Sequence, residues 1–158
     1  MTYREALVSD IPQVQVVRNI VKENVLSNPA LVSDADCEAF MTRRGKGWVC
    51  LVDNKVVGFA IADLQDDNIW ALFVDPSFEG KGIGKTLHEL MMDWYFLQGK
   101  EHVWLGTSPN TRAERFYAKH GWTSTGVVHG KETRFEMTAT EWKTYKSKQL
   151  KAPENPGA

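Results

Sequence analysis

The sequence predicts an α/β fold of the α+β kind, with a mixed, mostly antiparallel central sheet of about seven strands and helices on both faces. Three observations carry this. Three runs rich in β-branched and aromatic residues, 48–52, 56–62 and 69–74, are separated by short Asp/Asn turns and read as an antiparallel meander. A glycine cluster then joins the last run to a long apolar stripe of helical period and a further strand, a unit that must cross over in parallel. A helix and a closing hairpin complete the order, which calls for a sheet covered on both sides.

Taken in chain order, residues 2–8 suit an edge strand. Asp10 reads as a helix N-cap with Gln13 as its capping-box partner, and Val14, Val17, Val21 and Val25 recur at helical spacing over 11–25. Asn28-Pro29 breaks that helix. Ser33 and Asp34 suit the cap of a second, shorter helix running to about Arg44 and ending before Gly45 and Gly47. After the meander, Ile83, Leu87, Leu90, Met91 and Trp94 form the second stripe, closed by Gly99. Residues 103–106 read as a strand, 110–120 as a helix capped by Asn110 and stopped by Gly121, and 123–128 and 133–137 as the last strands. Trp142 and Tyr145, three apart among lysines, suggest a short docking helix within 140–148. The expected organisation is one domain over 1–148 and a mobile tail over 149–158, where two prolines and a glycine cluster.

Composition narrows the function classes. With 19 Lys and Arg against 20 Asp and Glu, the formal net charge is −1, so no global field gathers nucleic acid or anionic membrane, and neither is expected as a partner. Apolar runs fall far short of the ~20 residues of a membrane span. The opening MTYREALVSD lacks the features of a secretory signal. Cys37 and Cys50 have neither metal-site spacing nor scaffold density and read as small buried hydrophobes. Cytoplasmic localisation is the default expectation. His88, His102, His120 and His129 show no H-x-x-x-H pair, so no metal is expected.

Residues 74–86 read Val-Asp-Pro-Ser-Phe-Glu-Gly-Lys-Gly-Ile-Gly-Lys-Thr. A strand that feeds a glycine-rich turn and opens a helix is how a chain builds a pyrophosphate cradle: backbone N–H groups approach the phosphates and the helix N-terminus adds positive partial charge. Lys81 and Lys85 add further charge. Three families use this device. A Walker A loop fits at Gly84-Lys85-Thr86, but position 79 is Glu where glycine is needed. A dinucleotide fingerprint fits at Gly80 and Gly82, but its sixth position is Lys85. The bland reading is a turn that merely tightens a strand-to-helix corner.

The third family is the one this chain resembles, the GNAT superfamily of acetyl-coenzyme A-dependent N-acetyltransferases. Its phosphate loop is Q/R-x-x-G-x-G/A, matched here by Glu79-Gly80-Lys81-Gly82-Ile83-Gly84, with Glu79 departing from the first position. A second match is Asn110-Thr-Arg-Ala113-Glu-Arg-Phe116-Tyr117 followed by Gly121-Trp122, which is similar to the family's later segment. With the element order, the resemblance covers roughly residues 3 to 138.

The resemblance implies an N-acetyltransferase that passes the acetyl group of its cosubstrate acetyl-CoA to an amine by direct attack in a ternary complex. In such a protein Leu72, Phe73 and Val74 bond the pantetheine and acetyl group through their backbone like an added strand, and one N–H polarises the carbonyl. Gly80, Lys81, Gly82, Ile83, Gly84 and Lys85 hold the pyrophosphate. Asn110 bonds the pantetheine arm as well as capping its helix, and Tyr117 protonates the leaving thiolate. Phe116 reads as core.

A general base does not carry over. Members that acetylate ribosomal protein N-termini have a Glu where this chain has Leu105. Asp63, Asp66, Asp67 and His129 lie near strand ends, where each also reads as a solvated turn residue. A water relay, or an amine that arrives partly deprotonated, serves equally well. The resemblance places acceptor choice in residues 24–33 and 129–132. Asp34, Asp36 and Glu38 suit a cationic amine or simply the helix dipole, and Trp70 suits a pocket wall or a packing residue. The acceptor is a small-molecule amine or a protein amine, and a homodimer through the last strands or tail stays open. Two other readings remain: a non-catalytic acyl-CoA sensor on the same fold and a P-loop nucleotide-binding protein.

Overall fold

A computed structural model describes residues 1–23, 32–128 and 132–151. Val25, Asn28-Pro29, most of the 24–33 acceptor segment, His129 and residues 152–158 of the expected tail lie outside the described residues. The chain packs as two compact units, Met1–Gln98 and Gly99–Ala158.

In the first unit, β1 (Thr2–Glu5), β2 (Gly45–Val52), β3 (Lys55–Asp63) and β4 (Asn68–Val74) pair antiparallel in that order. The β2–β3 turn is Asp53-Asn54, both with positive φ (51° and 62°). That conformation makes a two-residue hairpin follow the twist of its strands, and Asp and Asn tolerate it better than other side chains. Every residue from Val56 to Asp63 on β3 is buried, so both sheet faces must be covered. On one face α1 (Ile11–Glu23) contributes Ile11, Val14 and Val17 to a core that includes Cys37, Met41, Phe59 and Ile61. On the other, α3 (Ile83–Leu97) approaches Gly58, where an added Cβ would stand 3.1 Å from both Ile83 and Leu87.

Four local expectations are corrected here. Asp10 does not cap α1 with its side chain. It ends a 3-10 turn, accepts from the Leu7 N–H at 2.7 Å, and is gripped by both terminal nitrogens of Arg4 at 2.7 and 2.9 Å. The Arg4 guanidinium holds its carboxyl below the usual range. Gln13 is no box partner; its Oε1 accepts from the Val56 N–H at 2.9 Å and pins α1 to β3. Ser33 and Asp36 form the capping box of α2 (Asp34–Glu38), a π turn carries the chain from Ala39 to Arg43, and Gly45 and Gly47 then belong to β2 rather than to a helix stop. On α3 the core-facing row is Ile83, Leu87, Met91 and Tyr95, with His88 and Met92 also buried, whereas Leu90 is 38% exposed. Steps of four residues keep that row on one face and leave Leu90 at its flank.

In the second unit, β5 (His102–Thr107), β7 (Glu132–Thr138) and β6 (Thr123–Val128) pair antiparallel with β7 between the other two. The docking helix expected near the end is present as α5 (Ala139–Lys151), so residues 149–151 of the expected tail are helical. Trp142 is buried and stacks on Tyr145 at 5.4 Å, and the Tyr145 hydroxyl meets His120 Nδ1 at 2.7 Å. A Cβ on Gly121 would come within 3.1 Å of the Tyr145 ring, so this glycine is needed for α5 to seat as well as for its positive φ of 93°. Cys37 and Cys50 are free and buried, as expected.

Candidate functional site

The expected site residues fall into two groups, one in each unit. In the first, β4 presents Leu72, Phe73 and Val74. Asp75 N–H donates to the Val57 carbonyl at 2.8 Å, and the register pairs Phe59 with Phe73 and Gly58 with Val74. Backbone groups alternate direction along an antiparallel strand. Those of Phe73 therefore turn toward β3, while those of Leu72 and Val74 turn to the opposite edge. Two of the three expected backbone contacts keep an outward N–H and C=O, and Phe73 is corrected to a residue whose backbone serves the sheet.

Beyond β4, Asp75 accepts from the Ser77 N–H at 2.9 Å and closes a 3-10 turn over Pro76–Phe78. Gly80 and Gly82 follow with φ of 78° and 79°. A Cβ at either would meet no atom within 4 Å, so it is their conformation, not crowding, that requires glycine, and the surface above them is open. Gly82 is the N-cap of α3, whose first intrahelical bond is Thr86 N–H to the Gly82 carbonyl at 3.1 Å. The N–H groups of Ile83, Gly84 and Lys85 precede that bond and have no acceptor within the helix. With exposed Lys81 and Lys85 beside them and the helix dipole behind them, these donors suit a pyrophosphate. Glu79 is exposed at the loop's start.

In the second unit, α4 (Arg112–Lys119) carries Tyr117. Its cap is Thr111, not Asn110: Thr111 Oγ1 accepts from the Glu114 N–H at 3.3 Å. Asn110 is exposed with φ of 58°, a left-handed conformation that Asn adopts more readily than most residues, and so stands just outside the helix. The capping role assigned to Asn110 is thus filled by its neighbour. Phe116 is half-buried rather than core.

Tyr117 is buried, with its ring against Phe116, Trp122 and Phe135 at 5.4, 5.7 and 6.0 Å. Burial pushes its phenol well above the ordinary value, so it keeps its proton throughout the neutral range. Above about pH 10 the unfolded chain ionises this phenol while the native state holds it protonated. The unfolded state then binds fewer protons, and stability falls as pH rises, by up to about 1.4 kcal/mol per pH unit for this one group. Denaturant midpoints measured from pH 8 to 11 should therefore fall faster in the wild type than in Tyr117→Phe. Parallel slopes would mean that Tyr117 titrates natively at its ordinary value.

The acids considered as general bases are otherwise engaged. Asp63 is not a solvated turn residue: it is buried and held by Arg44 through Nε at 3.1 Å and Nη2 at 2.8 Å. Asp66 shares Arg44 Nη2 at 2.8 Å, and Asp67 accepts from the buried Tyr95 hydroxyl. Among Asp34, Asp36 and Glu38, Asp36 completes the Ser33 box and Asp34 accepts from Gln15 at 3.3 Å, which favours the capping account. Leu105 is buried.

One residue escapes the sequence reading. Arg18 of α1 lies four residues after Val14 and so on the same face as that buried valine. Its guanidinium carbon stands 5.1 Å from the Trp70 ring centre and 5.5 Å from that of Phe73. Trp70 in turn stacks on Phe40 at 4.0 Å, with the planes 5° apart, and Arg44 lies 4.3 Å over the outer face of Phe40. A cation set among Val14, Val17 and Val21 of an apolar helical stripe is the signal that marks it.

The model of the acetyltransferase (GNAT) family matches residues 16–122, well over half of the chain. An uncharacterized N-acetyltransferase of Methanocaldococcus jannaschii is 33% identical over 94 residues, covering 52% of this chain and 41% of the relative. The chain thus spans less than half the length of that relative. A Thermoplasma acidophilum N-acetyltransferase solved with coenzyme A superimposes with a TM-score of 0.75 at 17% identity, over 87% of this chain and 98% of that one. A Salmonella typhimurium protein solved with its cofactor acetyl-CoA gives a TM-score of 0.71 at 22% identity, over 87% and 93%. These likenesses show the fold, and it is the mixed α/β class expected from the sequence.

Proposed function

The chain belongs to the acetyltransferase (GNAT) family, and on that footing we propose that it transfers the acetyl group of acetyl-CoA to a primary amine by direct attack in a ternary complex. The observation that carries the reading is the run from β4 into α3: outward backbone groups at Leu72 and Val74, then an open glycine turn and three helix-terminal N–H donors beside two lysines.

In this reading the loop over Gly80–Lys85 binds the pyrophosphate and β4 extends the pantetheine arm as an added strand. The neutral amine attacks the thioester carbonyl carbon. The oxygen that gains charge accepts from an outward β4 N–H, which is fixed in place before the reaction. As the C–S bond breaks, the Tyr117 hydroxyl donates to the departing sulfur, and the proton lost from the attacking nitrogen passes to water. Asn110 bonds the pantetheine arm. With Asp63 and Asp66 tied to Arg44, deprotonation of the amine is assigned to solvent.

Thermal unfolding with acetyl-CoA, and separately with ATP and Mg²⁺, tests the reading. Ligand at ~100 times its dissociation constant stabilises by about 2.7 kcal/mol, which for a chain of this size raises the midpoint by roughly 5–10 °C. The expected result is a rise with acetyl-CoA alone, followed by turnover on some amine. A rise with ATP alone would overturn the reading in favour of a nucleotide-binding loop, and acetyl-CoA binding without turnover on any amine would leave a sensor.

A further inference from the structure

Arg18 Nη1 is shielded from solvent and has no hydrogen-bond partner among the described residues. A guanidinium cannot shed its charge near neutral pH, so burying an unpaired N–H of this group is costly. The rings of Trp70 and Phe73 beneath it offset part of that cost, since cation–π contact stabilises a desolvated cation, but rings do not fill a donor direction. Among the described residues the acidic group acting on it is the Cys37 thiol, whose own ionisation is opposed by burial, so no thiolate stands there to pair with it. A cation kept half-buried, desolvated and incompletely bonded is what a site for an anion looks like before the anion arrives.

Its surroundings narrow the anion. The walls are aromatic, with Phe40 stacked on Trp70. Aromatic surroundings disfavour a hydrated polyanion, whereas a planar monoanion matches the planar donor edge of a guanidinium. Trp70 and Phe73 belong to β4, the strand that carries Leu72 and Val74.

We propose that Arg18 is the specificity-determining residue for the acceptor, and that this acceptor is an amine bearing a carboxylate, which Arg18 bonds above Trp70 and Phe73. The proposal rests on the acyl-transfer reading for its choice of acceptor, since it is β4 that holds the acetyl group in that reading.

Matched pairs supply the test: the free amino acids and their carboxamides, offered with acetyl-CoA, with thiol release as the readout, in wild type, Arg18→Met and Arg18→Lys. Methionine keeps the apolar stem, and lysine keeps the charge without the fork. In the wild type at least one acid should be used about 10- to 100-fold better than its amide, the range that a charge-assisted hydrogen bond supplies. Arg18→Met should erase that preference mainly through KM, Arg18→Lys should retain part of it, and acetyl-CoA should raise the unfolding midpoint equally in all three. Amides used as well as acids, a preference that survives Arg18→Met, turnover confined to amines without a carboxylate, or no turnover of any amine would each overturn the proposal. So would loss of acetyl-CoA protection in Arg18→Met, which would assign the cation to the coenzyme. If acetyl-CoA protects none of the three proteins, the acyl-transfer reading fails instead. The Arg18 site is then decided by whether the free amino acids raise the unfolding midpoint of the wild type but not of Arg18→Met.

Discussion

Tyr117→Phe is expected to lower turnover by ~10²–10⁴-fold, the usual worth of a positioned general acid, with acetyl-CoA affinity nearly unchanged. The substitution removes one oxygen. The ring keeps its neighbours Phe116, Trp122 and Phe135, and the Trp122 N–H keeps its bond to the carbonyl of residue 117. The comparison of rate with coenzyme affinity and folded stability then tells a chemical loss from a structural one. The direction follows from the chemistry: a phenol is protonated at neutral pH and can donate, and without it the departing sulfur must leave as a bare thiolate. Steady-state kinetics with thiol release, paired with thermal shifts by acetyl-CoA, separate the two effects. Equal turnover in the variant would remove Tyr117 from the mechanism, while a matching loss of acetyl-CoA affinity would make it a binding residue.

Gly45→Ala is expected to carry the largest stability effect. A Cβ at this position would collide with the Ala62 carbonyl oxygen and lie 2.8 Å from its carbon, inside the β2–β3 pairing where Gly45 faces Asp63. Backbone, unlike a side-chain tip, cannot swing aside, so the strand ends must part. The Arg44–Asp63 bonds and the Leu64 N–H bond to the Arg44 carbonyl are stretched with them. A cost above about 3 kcal/mol is expected, at or beyond the upper end of ordinary overpacking. Gly80→Ala is the comparison. It meets no atom within 4 Å and bears only the penalty of a positive φ, about 1–2 kcal/mol. Chemical denaturation of both variants decides the matter. If Gly45→Ala is no more destabilised than Gly80→Ala, β2 and β3 do not approach as closely as described.

How far the sequence reached depended on how local each feature is. The β3 and β4 runs, the Asp53-Asn54 turn, the glycine turn into α3 and the Ser33 cap are settled by residues within a few positions of one another, where periodicity, turn chemistry and capping act. Those elements stand where the sequence placed them, and the phosphate-loop motif belongs to that class. The misassigned residues depend on three-dimensional geometry that composition and spacing leave open. Asp10 had the composition of a cap, yet Arg4 on β1 and the Leu7 N–H bound it first. Gly45 looked like a helix stop because a glycine after a helical stripe usually is one, and only pairing with Asp63 shows that close backbone approach required it. Asn110 and Thr111 are both competent caps, and the backbone decided between them by placing Asn110 in the left-handed region.

The candidate site divides in the same way. The sequence by itself determined the fold class, the family and the loop that suits a pyrophosphate, because glycine spacing and strand-to-helix order are written along the chain. Tertiary structure decided which β4 backbone groups face outward, since that follows from the Phe59–Phe73 register. It also set the burial that keeps the Tyr117 proton in place, and it tied Asp63 to Arg44 over nineteen residues. Arg18 shows the division most plainly: its helical position was readable, but a buried Nη1 above Trp70 and Phe73 exists only once α1 lies on β4. The free energy of a charge depends on what surrounds it, and packing alone fixes those surroundings.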